Sequence, residues 1–92
     1  MATCVTAQAE VPRESVEFFP VNVLLDGAPT NDFSTSVAAR GTRPTTWTPA
    51  TVVGGRAGVM IAGLQPGTYR VWARVSADPE SIVVMAGTVV VT

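Results

Sequence analysis

Proline and glycine fall along this chain at intervals that leave little room for a helix. They include Pro12, Pro20, Gly27-Ala28-Pro29, Gly41, Pro44, Pro49, Gly54-Gly55, Pro66-Gly67 and Pro79. Few uninterrupted windows between them could hold three helical turns. The residues in those windows are rich in Val and Thr, whose β-branched side chains suit a pleated strand better than a helix. Short strands separated by turn signals predict a sandwich or barrel. No internal repeat or low-complexity linker interrupts the pattern.

The 92 residues make one domain, large enough to bury roughly two-thirds of the unfolded chain's surface. Hydrophobic residues make up 47% and charged ones 14%, a balance that argues against disorder and leaves few groups to wet the surface. Part of that surface is expected to be covered by something else. The formal net charge of −1 gives no long-range pull toward nucleic acid or an anionic membrane. No stretch reaches the roughly 18 apolar residues of a membrane-spanning helix. Residues 1–14 lack a basic region followed by an apolar run, so no signal peptide is expected. The single cysteine, Cys4, has no internal disulfide partner and reads as a spectator thiol of a chain folded in a reducing cytoplasm.

Strand by strand, residues 4–10 read as an edge strand and residues 1–14 as an N-terminal arm or edge strand before a sandwich domain over 15–92. Residues 15–25 read as a strand that Pro20 interrupts by removing a backbone donor. Residues 26–32 read as a loop. In 32–40, Phe33, Thr35, Val37 and Ala39 alternate with Ser34, Ser36, Ala38 and Arg40, giving one drier face. A short irregular strand surrounds Trp47, and Gly54-Gly55 turns the chain toward a strand over 59–64.

The stretch from Leu64 to Val75 is the most informative. Pro66-Gly67 is a strong turn signal, and a Tyr just after it can lay its ring on the core and return its hydroxyl to nearby backbone. Leu64, Pro66, Gly67 and Tyr69 thus form the pattern of a tyrosine corner. With Tyr69 inward, Val71, Ala73 and Val75 share its face, and Arg70, Trp72 and Arg74 share the opposite one. An outward Trp is either covered by its neighbours, with Arg stacked upon it, or held for a partner. The last strand carries Ile82, Val84, Ala86 and Val90 on one parity and Val83, Met85, Val89 and Val91 on the other. Gly87 reads as a bulge that switches parity. Even so, the strand is too apolar for a solvent-facing terminus. Arg70, Trp72, Arg74, Val83, Met85, Val89, Val91 and Trp47 are therefore the candidate protein interface.

Chemistry is thin. The chain has no His and no Lys, so the usual bases are missing and no triad can be assembled. No carboxylate pair is placed for glycoside hydrolysis. Asp26, Asp32, Asp78 and Glu80 could gather at one end as oxygen ligands for Ca²⁺, although no calcium loop is present and acidic residues are common in turns. Residues 52–58 hold glycines and Arg56, but a strand follows them, so they read as a hairpin rather than a phosphate cradle. Residues 40–44 are a small basic turn, short of a nucleic-acid footprint. The expectation is a protein without catalytic residues, cofactor or metal.

Two resemblances follow from these residues. The Leu64–Tyr69 pattern resembles that of fibronectin type III and related domains, and implies an all-β, immunoglobulin-like or fibronectin type III-like antiparallel β-sandwich of about seven strands. The combination of Trp47 and Ala50, Pro66-Gly67 with Tyr69, Val71, Trp72, Arg74 and Val75, Pro79-Glu80, and the 86–92 strand resembles small virion structural proteins of actinobacterial tailed phages. That resemblance implies a structural protein of the capsid or head–tail region, made in the host cytoplasm. Its expected partners are other virion proteins and further copies of itself, with no nucleic acid and no membrane. A carbohydrate-binding or adhesion module, with Trp47 and Trp72 as stacking platforms, is the alternative.

Overall fold

The structure is a computed structural model that describes residues 2–5, 7–77 and 80–92, with side chains over 7–76 and 81–92. It is all-β. The chain runs through β1 (Ala2–Val5), β2 (Ala7–Val11), β3 (Glu17–Pro20), β4 (Asn22–Leu25), β5 (Ala28–Thr30), β6 (Ser34–Ala39), β7 (Thr48–Pro49), β8 (Thr51–Val53), β9 (Arg56–Ile61), β10 (Gly67–Ala77) and β11 (Glu80–Val91). These strands form a five-stranded sheet in the order β2-β11-β10-β6-β7 and two three-stranded sheets, β1-β4-β5 and β3-β9-β8.

The described strands are more numerous than the seven or so expected, for local reasons. Pro20 has no N–H to continue a ladder. Pairing with β9 ends one residue later, where the Val21 N–H donates to Ala57 O at 3.0 Å. Beyond it the chain leaves β9, and β4 pairs with β1 and β5 instead. The N-terminal segment also divides between sheets, β1 beside β4 and β2 beside β11. The β2–β11 pairing is parallel, so the domain is not wholly antiparallel as expected. Residues 26–32 are not simply a loop: Asp26 and Gly27, at φ 52° and 81°, make a two-residue hairpin turn between β4 and β5. Left-handed backbone at both positions is the signature of a type I′ turn. Gly54 and Gly55, at φ 60° and 80°, make the same kind of turn between β8 and β9.

All three sheets contribute to one core. Phe19, Val21 and Val23 come from the β3–β4 segment, Ala57 and Ile61 from β9, and Val11 from β2, all buried. Val71, Ala73 and Val75 of β10 meet them at 0–1% exposure, as the two-residue period from Tyr69 predicts. Tyr69, Leu64 and Val59 pack against this cluster from its margin.

The bulge in β11 decides which way its apolar residues face. Val71 is opposite Gly87 and Trp72 is opposite Met85, so Ala86 is the extra residue. Up to and including it the even positions Ile82, Val84 and Ala86 face the core, and after it the odd positions Val89 and Val91 do. Two candidate interface residues are corrected by this. Val89 and Val91, at 0% and 3% exposure, are core residues, because the extra residue inverts their parity relative to Val83 and Met85. Val90, 39% exposed, takes the outer position instead. Gly87 has no room for a side chain: a Cβ there would lie 2.5 Å from Ala7 O and 2.6 Å from the Phe19 ring.

Candidate interaction face

The outer face of the five-stranded sheet is assembled by strand register. On β10, Arg70 is opposite Ala38 and Thr88, Trp72 is opposite Ser36 and Met85, and Arg74 is opposite Ser34 and Val83. Alternation sends these side chains to one side while Val71, Ala73 and Val75 go to the other. The small residues of β6 leave space above them, and residues 40–47 come to occupy it.

That loop is held at both ends. At its start the Arg40 N–H donates to Thr68 O at 3.0 Å, and both the N–H and the hydroxyl of Thr42 donate to Ala39 O. Gly41, at φ 88°, supplies the left-handed residue the turn requires. At its end the Thr48 hydroxyl donates to Thr35 O at 3.4 Å and the Ala50 N–H donates to Phe33 O at 3.0 Å. Between these anchors the loop returns two side chains to the sheet. Arg43 Cζ lies over the Trp72 ring, 5.6 Å from its centroid, and Arg74 Cζ lies over the Trp47 ring at 4.8 Å. Each cation–π pair contributes about 0.5–1 kcal/mol where exposed and more as water is excluded.

Trp72 is therefore outward but covered. It is half-buried, and its Nε1 is shut off from solvent with no hydrogen-bond acceptor among the described residues. A buried donor left without a partner costs about 1–3 kcal/mol. Beside the paired rings, Arg43, Pro44, Trp47, Arg74, Ser81 and Val83 line an open groove of about 410 Å³. Val83 is 45% exposed at its rim, and Met85 is half-buried behind it. Six of the eight residues expected at an interface thus lie outside the core: Trp47, Arg70, Trp72, Arg74, Val83 and Met85. Arg43 joins them. It was visible in the sequence only as one cation of a small basic turn, and the fold of the 40–47 loop is what carries it onto Trp72.

The remaining candidates sit elsewhere. The Tyr69 hydroxyl donates to Gln65 O at 2.8 Å, closing the turn that contains Pro66 and Gly67. Leu64 packs on the core beside it. Of the four carboxylates considered for Ca²⁺, Asp26 forms the β4–β5 turn, and the Asp32 N–H donates to the Thr30 hydroxyl at 3.1 Å. Asp78, Pro79 and the side chain of Glu80 lie outside the described residues, as does the side chain of Cys4. Among the described residues no three His, Cys, Asp or Glu side chains stand together as metal ligands. Comparison of the chain with protein-family models, with curated proteins and with solved structures found no match.

Proposed function

We propose that the chain is a non-enzymatic structural module of a tailed-phage virion, acting through protein–protein contacts made by the outer face of its five-stranded sheet. On this reading the fold is an immunoglobulin-like sandwich. The five-stranded sheet is one layer, and β1, β4 and β5 with β3, β9 and β8 make the other, the β3–β4 segment passing between their two pairings. The bond from Tyr69 to Gln65 O is the contact a tyrosine corner makes.

The observation that carries the function is the Arg43–Trp72 and Arg74–Trp47 face with exposed Val83 at its rim. Trp and Arg are the residues most enriched among interface hot spots, and apolar side chains beside them supply the area that excludes water. A chain without His or Lys offers little for catalysis, which favours a contact role over an enzymatic one. The place of action, capsid surface or head–tail region, comes from the sequence resemblance. A carbohydrate module is less well supported, because each indole already has a guanidinium over a face that a sugar ring would need.

Mass spectrometry of purified particles of the phage encoding the chain tests this reading. The protein is expected there in many copies alongside the capsid and head–tail proteins. Its absence from particles would contradict the proposal.

A further inference from the structure

The outer face has an imbalance of charge and of hydrogen-bonding groups. Arg43, Arg70 and Arg74 stand on it, in a protein whose formal net charge is −1. Among the described residues none of the three is in ion-pair contact with a carboxylate; Arg13 and Glu14, 3.8 Å apart, pair away from this face. Asp32 lines the adjoining hollow with Arg74 and Ser76 but does not pair with the arginine. Glu10 lies at the far edge, beside Thr88 and Val90.

Building on the reading of this face as a contact surface, we propose that its partner is an acidic protein segment, with carboxylates that engage Arg43 and Arg74 and an apolar side chain that rests on Val83 and Pro44. A guanidinium over an aromatic ring is held in place by the ring, yet its N–H groups stay free to grip a carboxylate in a two-point contact. The stacking therefore prepares both arginines for an acceptor before it arrives. A carboxylate also supplies acceptors only, which is what the face lacks. The apolar wall of Pro44, Trp47 and Val83 in the same groove matches a peptide segment better than a small anion. Nucleic acid fits less well. Its bases stack on open aromatic faces, whereas a guanidinium lies over a face of each indole here.

The test is fluorescence anisotropy of the full chain with a labelled peptide alternating Glu and Val, at low and at high salt. Binding is expected at low salt and is expected to weaken as salt rises. Arg43→Gln and Arg74→Gln are each expected to weaken it about tenfold, the loss of one charge-assisted contact. Arg56→Gln, an exposed residue of β9 in another sheet, is expected to leave it unchanged. A Lys–Val peptide and a single-stranded oligothymidine are expected not to bind. No binding of the Glu–Val peptide, equal binding of the oligothymidine, or binding indifferent to both variants would overturn the proposal. The virion reading is tested separately: a chain present in particles that ignores the acidic peptide refutes only the partner assigned here.

Discussion

Trp72 shows how a single residue can be read correctly for direction and incompletely for surroundings. The alternation through Arg70, Trp72 and Arg74 required only that Tyr69 face inward, and the two-residue period did the rest. That Arg43 lies over the ring was not legible, because the contact depends on how residues 40–47 return to the sheet. Nor could spacing reveal that Nε1 lacks an acceptor among the described residues. This yields a prediction. Trp72→Phe removes a donor whose burial costs about 1–3 kcal/mol, and it loses ring area and some cation–π attraction of similar size. The two effects offset, so urea unfolding should show a change of no more than about 1 kcal/mol. A much larger loss would mean that the indole N–H has a partner.

At the scale of elements, β11 carries the lesson. Its run of apolar residues offered two parities, and Gly87 marked where one gives way to the other. An extra residue there, whether Ala86 or Gly87, sets Val89 and Val91 on the core parity of Ile82 and Val84, which grouping them with Val83 and Met85 ignores. Val71 pairs with Gly87 and Trp72 with Met85, and only that pairing identifies Ala86. The loop reading of 26–32 also leaves a local signal unused. Asp26-Gly27 between Leu25 and Ala28 is a strong hairpin pair, and it predicts β5 once read that way. The division of the N-terminal segment between two sheets had no local signal, since it depends on which edges β4 and β11 leave open. Gly87 is the residue on which the β11 arrangement turns. Gly87→Ala drives a methyl against Ala7 O of β2 and the Phe19 ring, where neither backbone nor core has slack. The substitution should lower stability by about 1–3 kcal/mol in urea unfolding. It should also speed amide exchange in Ala7–Val11, whose parallel ladder begins opposite this glycine. A wild-type exchange pattern in β2 would show that the strand does not depend on the missing side chain.

The whole molecule is a slab, 38 × 30 × 19 Å along its principal axes. On the sandwich reading proposed above, its thin dimension corresponds to two β layers packed about 10 Å apart with side chains on both outer surfaces. Those surfaces differ. The β3-β9-β8 sheet exposes Val52, Val53 and Met60, a scatter common on any protein, whereas the outer face of the five-stranded sheet and the 40–47 loop over it gather both tryptophans and three arginines. The difference predicts which side meets a partner, and it can be read by photo-crosslinking in purified particles. A photoreactive amino acid placed at Val83 samples the groove, and one at Val52 samples the other sheet at comparable exposure. On the proposed virion role, covalent adducts to a second protein of the particle from position 83, with few or none from position 52, are the predicted result. Adducts from position 52 with none from position 83 would contradict the assignment of the Trp–Arg face as the contact surface.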